Sequence, residues 1–467
     1  MKKMRKRMFR TAIELLCLML ALSMTVCAVP MMATEVTDAA ATDTAEESAP
    51  ATVSVVFAAQ DIPQGTRLTE KHFVVKEVSA VNVPSNVVSN IADLVTRHAA
   101  KNLHEGEYVY LAQTSKDMVV AADERVLVKP ITASKSNFLV VTDFIKVNSG
   151  LPVEFYLQQL IDKNPNKTLY FPAGEYILGS PIGTPADAQY SISIVLDDGA
   201  VLKAADNWKS NGTMTALVCL GASVPKNDIS SPGSYYSIQG GVLDGNGKAD
   251  GLSIDSGRES VIRNLCIKNA KTGIQVKTGA NNKSSDCDFE DISIIGNGKR
   301  ATVGMDIIGF DNTFSNIRIY DVEVGVTGTG AGNFFKSIFI INTKADTLYT
   351  GTKGFGGTTN NWYSGCYVEN YETAYTLGGS GLAWDCTAVW NNDACKKQVA
   401  FSGGAVVPLM GCKASFHKVE GASTAFVAGW SGERSALLGC IFDTELVAAE
   451  NYQSFLGATN KIVPISK

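Results

Sequence analysis

Three carboxylates stand beside short apolar segments in the middle of the chain: Asp306 in "GMDI", Glu323 in "EVGV" and Asp346 in "ADTLYT". In a strand, alternation would turn Met305 and Ile307 inward and Asp306 outward. Carboxyls on neighbouring parallel strands would lie about 5 Å apart, and carboxyls two strands apart about 10 Å. Paired carboxylates hydrolyse glycosides with retention at about 5 Å and with inversion at about 6.5–9.5 Å. The three acids are therefore candidate catalytic residues for glycoside cleavage.

Basic and aromatic side chains lie close to these acids in the sequence. Arg300, Lys344 and Tyr349 could bind an acidic sugar as substrate. The alternative is that the acids are ordinary solvated groups on an outward face and that their neighbours only keep this edge soluble. Both interpretations remain open on the sequence alone.

The elements that would position these residues recur along the chain. From about residue 235 one template repeats, namely apolar, two residues, apolar, one residue, apolar, as in "VIRNLCIKN" and "FSNIRIYD". From 265 to 440 is 175 residues in seven steps, or 25 residues a step. The middle apolar positions form a predicted inward column: Leu265, Ile292, Ile317, Ile338, Cys366, Thr387, Cys412 and Cys440.

A column of turn-forming residues lies four positions after these. Asn, Gly and Asp tolerate a left-handed backbone, so the column predicts a stacked turn, beyond which a second short strand follows. A unit of strand, turn and strand cannot bury its apolar face alone, whereas stacked units bury a continuous core. The sequence thus predicts a mainly β chain wound as a parallel β-helix. The turn positions are Asn269, Gly296, Asp321, Asn342, Asn370, Asn391, Phe416 and Thr444.

The tetrapeptide "GNGK" occurs at 245–248 and again at 296–299. Glycines beside a lysine could hold a phosphate, but the first copy lacks the preceding strand and following helix of a phosphate-binding loop. The copies are 51 residues apart, about two steps of the repeat. They are predicted to be the same turn on two different coils. Asp244, in "LDGNG", is expected to brace that turn.

Ten cysteines show no close-set pairs of the kind that bind metals. Cysteines of the inward column should behave as small buried hydrophobes, so free thiols are expected there. A Cys386–Cys395 disulfide remains open. Four late aromatic residues could stack on sugar rings, although Trp384 falls near the inward column and part of the set is then core. They are Trp362, Tyr363, Trp384 and Trp390.

The segment before the repeat resembles a known superfamily. Leu157, Leu160 and Ile161 predict one face of a short helix, and "LYFPAGEYIL" and "LDDGAVL" read as strands joined by turns. This order, with "GGVLDGNG" at 240–247, resembles the pectate-lyase-like superfamily, which includes polygalacturonases and phage tailspikes. The resemblance implies a right-handed parallel β-helix and action on polysaccharide as a glycoside hydrolase or lyase.

The polygalacturonase site motifs are not intact in this chain. "ATVGMDI" places Val303 where the family has the acid of Asn-Thr-Asp. No histidine lies between His104 and His417, so Gly-His-Gly is absent, and no Arg-Ile-Lys occurs. The family mechanism cannot be carried over intact. A non-catalytic glycan-binding or envelope-assembly protein therefore stays open beside the enzyme.

A second resemblance covers residues 53–117. "AAQDIPQGTRLTEKHF" and "VTRHAAKNLHEGEYVYLAQ" resemble the SAF domain, a module of antifreeze-like proteins, sialic-acid synthases and pilus and flagellar chaperones. The resemblance implies a compact β-rich fold and leaves the role of the module open. The spacing of His72, His98 and His104 fits no metal pattern.

The ends and linkers complete the predicted organisation. Residues 1–33 have the basic and apolar regions of a signal peptide, with an uncleaved anchor as the alternative. Residues 34–52 form an acidic, Ala- and Thr-rich tether, 118–149 a connector and 150–467 the β-helix with its N-terminal helix.

These features predict a secreted or cell-surface protein whose partner is a polysaccharide or cell-wall glycan. A net charge of −5 argues against a nucleic-acid partner. Membrane contact is expected only through an uncleaved signal segment, and a homotrimer of the tailspike kind stays open. No cofactor is predicted, and Ca²⁺ is a candidate only if the protein is a lyase.

Overall fold

A computed structural model describes residues 52–62, 66, 68–80, 83–84, 86–95, 97–100, 103–115, 125–185, 189–221, 235–277, 284–379, 381–403, 408–428 and 437–442. They form two compact units, one within Met1–Val119 and one within Val120–Lys467. The expected signal segment, nearly all of the tether and the predicted turn residue Thr444 lie outside the described residues.

The first unit is a small β-rich body. Its strands are β1 (Thr52–Ala58), β2 (Phe73–Ser79), β3 (His98–Ala99) and β4 (Thr114–Ser115). The strands pair antiparallel, β1 with β2 and β3 with β4. Short 3₁₀ helices occupy Glu70–His72, Ile91–Asp93 and Leu111–Gln113. Apolar side chains such as Val56, Leu68 and Leu94 fill its own core, as expected from the β-rich module predicted here.

The second unit contains the helix α1 (Glu154–Lys163) and a 3₁₀ helix at Val141–Asp143. The helix buries Leu157, Leu160 and Ile161, which confirms the predicted apolar face. The strands of this unit are β5 (Phe138–Val140), β6 (Thr168–Phe171), β7 (Gly174–Leu178), β8 (Ile182–Gly183), β9 (Ser193–Leu196), β10 (Ala200–Ala204), β11 (Ala216–Leu220), β12 (Ser237–Gln239), β13 (Val242–Asp244), β14 (Asp250–Asp255), β15 (Val261–Arg263), β16 (Cys266–Lys268), β17 (Thr272–Lys277), β18 (Asp288–Glu290), β19 (Ser293–Ile295), β20 (Val303–Ile307), β21 (Thr313–Tyr320), β22 (Val324–Thr327), β23 (Phe334–Ile341), β24 (Lys353–Thr359), β25 (Trp362–Ser364), β26 (Tyr367–Glu369), β27 (Thr373–Gly378), β28 (Leu382–Trp384), β29 (Thr387–Val389), β30 (Lys397–Ser402), β31 (Leu409–Met410), β32 (Lys413–Ser415), β33 (Ser423–Ala428), β34 (Leu437–Leu438) and β35 (Ile441–Phe442).

These strands stack into three parallel sheets, because each pairs with its counterpart on the next coil. Sheet I contains β5, β6, β9, β12, β15, β18, the first half of β21 and of β23, β25, β28, β31 and β34. Sheet II contains β7, β10, β13, β16, β19, the second half of β21 and of β23, β26, β29, β32 and β35. Sheet III contains β8, β11, β14, β17, β20, β22, β24, β27, β30 and β33. The predicted right-handed parallel β-helix is confirmed.

Each coil contains three strands rather than the two expected from the sequence template. The template spans sheets I and II, which are separated by a single residue of left-handed backbone, so two strands read as one. Asn269, Asp321 and Asn370 of the predicted turn column also have positive φ, and they lie between sheets II and III. The other described members of that column do not, so the predicted left-handed backbone is wrong at Gly296, Asn342, Asn391 and Phe416. The left-handed residues between sheets I and II are Gly240, Gly241, Asn264, Asp291, Asn316, Ser337, Gly365, Asp385, Gly411 and Gly439.

The strand register confirms the inward column apart from one position. Leu265, Ile292, Ile317 and Ile338 are at most 2% exposed and lie on successive coils. Because Tyr367 pairs with Thr387, the partner of Cys366 is Cys386, and the predicted inward Thr387 is wrong by one residue. Thr387 is half-buried. The column therefore ends in four stacked thiols: Cys366, Cys386, Cys412 and Cys440.

None of the described cysteines forms a disulfide, which confirms the expectation of thiols in the inward column and means that Cys386 and Cys395 are not bridged. Of the four late aromatic residues, part is core as predicted, but Trp384, expected near the inward column, is exposed. Trp390 and Tyr363 are 3% exposed, whereas Trp362 is 39% and Trp384 58% exposed. Trp384 stands just before the left-handed residue and points away from the core.

The two GNGK segments lie at the same corner of the β-helix. Asp244 pairs with Lys268, which pairs with Ile295, so both segments follow sheet II two coils apart. Gly247 and Gly298 have φ values of 69° and 71°, as the turn requires. Asp244 braces its turn by accepting a hydrogen bond from the Asn246 N–H at 3.0 Å. Both turn predictions are confirmed, but the expected lack of a strand before the first copy is wrong, because β13 ends at Asp244, immediately before that copy.

Candidate functional site

The three predicted acids lie on successive coils but do not converge. Asp306, on β20, is half-buried and pairs with Gln275 and Thr327 of the flanking coils. Val303 pairs with Val324, which sets Glu323 beside the residue four positions before Asp306. Four residues of strand correspond to about 13 Å. Asp346 is exposed in the loop between β23 and β24.

Glu323 is held in a turn by Arg300. The Arg300 guanidinium donates to Glu323 Oε1 at 2.7 Å, and the Ala301 N–H donates to Glu323 Oε2 at 2.6 Å. These contacts, with that of Arg300 foremost, lower the pKa of Glu323. Arg300 also donates to the Thr350 carbonyl. Because Arg300 and Glu323 are hydrogen-bonded to each other and to the backbone, they stabilise the turn of this coil.

The other two predicted binding residues differ in their access to solvent. Lys344 is exposed. Tyr349 is 7% exposed, its hydroxyl donates to the Lys397 carbonyl, and burial raises its pKa. The Tyr349 hydroxyl therefore does not face a ligand in this structure.

A cleft of about 650 Å³ lies beside the start of the sheet III strands. One wall is the loop between β10 and β11, and the other comprises the first GNGK turn and the residue preceding β17. Three lysines and one carboxylate line it, which makes its surface basic. The lining residues are Trp208, Lys209, Ser210, Thr215, Gly247, Lys248, Asp250 and Lys271.

Backbone and side-chain hydrogen bonds fix the polar groups of this cleft. Asp250, 7% exposed, accepts from the Thr272 N–H at 2.9 Å and from Gln275 Nε2 at 3.0 Å. Lys248 Nζ donates to the carbonyl and carboxylate of Asp206, at 2.6 and 3.0 Å. The Lys248 hydrogen bond is the main cause of the lowered pKa of Asp206. Lys271 is exposed at the rim.

Two carboxyls lie farther along the outward side of sheet III, where Asp255 is five residues, about 16 Å of strand, beyond Asp250 of the cleft. Asp306 lies next to Gln275, and Asp255 lies next to Lys277 in the strand register. Burial raises the pKa of Asp255 to about 6, opposed by the Lys277 ammonium, and one of its oxygens is buried without a hydrogen-bond partner. Burial also raises the pKa of Asp306, again opposed by Lys277. Two protonatable carboxyls thus flank one ammonium.

The sequence interpretation missed most of this site. Lys248 and Lys271 each stand shortly before a sheet III strand, and this recurrence was the available signal. The second GNGK copy does not line this cleft, and the basic residue that follows it, Arg300, is hydrogen-bonded to Glu323. Among the described residues no group of three or more His, Cys, Asp or Glu side chains could hold a metal ion.

Comparison with known families identifies the small N-terminal module. Residues 53–113 match the family described as the SAF domain, which confirms that prediction. No curated protein matches the chain.

Solved structures with a similar fold come from a fungus, a virus and a bacterium. The endo-xylogalacturonan hydrolase of Aspergillus tubingensis is 15% identical, with 70% of this chain and 99% of that chain covered and a TM-score of 0.43. ORF18 of Geobacillus virus E2 is 12% identical, with 66% and 61% covered and a TM-score of 0.44. The surface protein and adhesin PfbA of Streptococcus pneumoniae is 12% identical, with 62% and 94% covered and a TM-score of 0.40. At these identities the likeness concerns the fold alone.

In the part of the chain that the structure describes, no helix has the length and apolar character needed to span a membrane.

Proposed function

We propose that this protein is an exported, cell-surface protein that binds an acidic polysaccharide in the sheet III cleft and cleaves it by hydrolysis. The observation that carries this proposal is the presence of a lysine-lined cleft and of two partly buried carboxyls, Asp255 and Asp306, on the outward face of the same sheet.

The cleft has the chemistry of an anionic sugar site. Lys209 and Lys271 supply ammonium groups that attract carboxylate or sulfate substituents, whereas the Lys248 ammonium is paired with Asp206. Trp208 offers an apolar ring for a sugar face. Asp250 is already bonded to Gln275 and to the backbone, so its charge orients the site rather than repelling the ligand.

The raised pKa of Asp255 suits the acid step of glycoside hydrolysis. A general acid works best with a pKa near the working pH. Asp255, with a pKa of about 6, is assigned that role. Asp306 lies two strands and two residues away in the register, about 12 Å between Cα atoms, and is assigned as the second carboxyl, with the reach of the two side chains closing that distance toward the roughly 6.5–9.5 Å of an inverting pair. Lys277, adjacent to Asp255 and two residues along from Asp306 in the register, favours the charged form of both.

The test is turnover of polygalacturonate, alginate and hyaluronan, each with and without added calcium. New reducing ends without unsaturated products are expected, and they should disappear in Asp255→Asn and Asp306→Asn. The matched control is Lys353→Ala, an exposed lysine of sheet III on a later coil. Ultraviolet-absorbing unsaturated ends would instead assign a lyase, and unchanged turnover in both Asn variants would remove the residue assignment.

A non-catalytic glycan-binding protein is the second candidate. The observation that favours it is the Arg300–Glu323 pair, since an acid predicted to be catalytic is engaged in a structural contact. Retention of the protein on polygalacturonate, alginate or hyaluronan without any product would select this function. Loss of that retention in Lys248→Ala/Lys271→Ala would still assign the cleft as the binding site.

A further inference from the structure

The outer face of sheet I carries an exposed group of aromatic side chains, called here the aromatic platform: Phe334, Trp362 and Trp384. Their exposed fractions are 49%, 39% and 58%. Large apolar side chains left in water at neighbouring positions mark a binding surface more often than chance exposure does.

The geometry of the platform follows from the strand register. Phe334 pairs with Trp362 on the next coil, and their rings stack with centroids 4.6 Å apart and planes 11° apart. Trp384 lies one further coil along and two residues down the strand, about 8 Å from Trp362 between Cα atoms. All three are on strands of the β-helix, so their positions are preset by the sheet.

Polar groups border the rings on one side. Lys336 and Ser364 are exposed, and they precede Trp384 in the same outward row of the register. An apolar plate beside hydrogen-bonding groups matches the surface of a pyranose ring, which has a C–H face and a rim of hydroxyls.

We propose that the aromatic platform is a second glycan-binding site, separate from the sheet III cleft, for a β-1,4-linked hexopyranose segment. Equatorial substituents leave both faces of such rings flat and apolar. Because the rings of Phe334 and Trp362 cover each other's inner faces, such a chain would contact the outer face of Trp362, the edges of the stacked pair and Trp384. This site would hold the polymer to the protein and takes no part in cleavage.

The size of the platform argues against a second copy of the chain as its occupant. Three half-exposed aromatic rings offer on the order of 300 Å² of apolar surface. A stable interface between proteins buries about 800 Å² from each partner and excludes charge from its centre. Here the exposed Lys336 and the exposed ion pair of Lys413 with Asp385, the residue after Trp384, stand at the patch.

Native affinity electrophoresis in gels containing hydroxyethyl cellulose or glycol chitin tests the proposal, with dextran, an α-linked polymer, as the comparison gel. The protein should be retarded by at least one of the two β-1,4-linked polymers and not by dextran. Trp362→Ala/Trp384→Ala should weaken that retardation at least tenfold, and Trp362→Phe should keep part of it. Tyr235→Ala, which removes an exposed aromatic outside the platform, should change nothing.

Three results would overturn the assignment. One is the absence of retardation by both β-1,4-linked polymers, and another is unchanged retardation of the double Trp variant. The third is concentration-dependent self-association in sedimentation that the double Trp variant abolishes, which would identify a second copy as the occupant. The cleft variant Lys248→Ala/Lys271→Ala should remain retarded, so failure of this site and failure of the cleft are distinguishable.

Discussion

Asn333 Oδ1 accepts a hydrogen bond from the backbone N–H of Asn312 on the preceding coil at 3.0 Å. Asn361 Oδ1 does the same for the N–H of Asn333 at 2.9 Å. The side-chain amides donate to backbone carbonyls, that of Asn333 to Gly309 at 3.1 Å. This asparagine file comprises Asn312, Asn333 and Asn361, each at most 1% exposed. Its side chains supply hydrogen bonds to backbone groups at a corner that water does not reach.

Replacement of Asn333 by Ala should lower the free energy of unfolding by about 2–3 kcal/mol, because the N–H of Asn312 and the carbonyl of Gly309 lose their partners while buried. Urea denaturation followed by circular dichroism measures the change. Ser315→Ala, at an outward position of the adjacent coil, is the control and should have little effect. Equal stability of the two variants would contradict a structural role for the file.

The raised pKa of Asp255 predicts a pH dependence of stability. Its folded pKa of about 6 lies above the unfolded value of 3.8, so the ionised form is disfavoured in the native state. The contribution of Asp255 to stability is therefore complete below about pH 4 and is lost as the pH rises through about 6. Asp255→Asn should be more stable than the parent by about 1–3 kcal/mol near pH 7.5 and nearly equal to it near pH 4.

Denaturation curves at both pH values for the parent and for Asp255→Asn provide the measurement. Asp288→Asn, an exposed acid on sheet I, serves as the matched control. If Asp255→Asn unfolded with a lower free energy than the parent by the same amount at both pH values, the native state would need the charged carboxylate. That result would contradict the raised pKa of Asp255.

The basic cleft predicts a salt-sensitive affinity for acidic glycans. Lys271→Glu should weaken binding to a bound anionic polymer by at least about tenfold at low ionic strength, because it replaces an attraction by a repulsion. The difference should shrink as salt is added, since exposed charges are screened over about 10 Å at 0.1 M. Lys353→Glu has the same charge change on a later coil. An equal loss of affinity in Lys353→Glu would mean that the weaker binding comes from the change in net charge and not from the cleft.

The stacking of coils was readable from the sequence, but the exact register was not. Apolar residues recur because every coil buries the same positions, and this made Leu265 through Ile338 recognisable. Cys366 and Cys386 are only 20 residues apart, whereas Ile338 and Cys366 are 28 apart. The number of residues in a coil varies with the turns between sheets. A template of fixed spacing therefore predicted Thr387 at the inward position that Cys386 occupies.

The cleft and the raised pKa values could not be read from the sequence for a different reason. Lys209 and Lys271 are far apart in the chain and belong to no repeating column, so their meeting depends on the path of the loop after β10. The pKa of Asp255 depends on the atoms that cover it, which no local pattern reports. The sequence predicted the face on which Asp306 lies but not its neighbours.

Cys386, within the column of four stacked thiols, should be unusually resistant to modification. Cys386 has no exposed surface, and burial raises its pKa well above the ordinary value. A thiol reacts as its thiolate, so Cys386 should be labelled by iodoacetamide only after unfolding. Mass spectrometry of labelled peptides should find the half-buried Cys266 modified first among the described cysteines. Rapid labelling of Cys386 in native protein would contradict the inward register.

Glu323→Gln distinguishes a catalytic role of Glu323, predicted from the sequence, from the structural role indicated by its contact with Arg300. A general acid or base contributes about 10²–10⁴-fold to a rate, so removal of a catalytic Glu323 would cost turnover in that range. Because Glu323 is bonded to Arg300 and Ala301, Glu323→Gln should instead leave turnover within about threefold and cost roughly 1 kcal/mol of stability, as expected for a partly exposed ion pair. Initial rates on the polymer that the parent cleaves, measured beside Asp306→Asn, decide the point. A loss in Glu323→Gln as large as that in Asp306→Asn would return Glu323 to the catalytic set and show that the Arg300 contact opens when substrate binds.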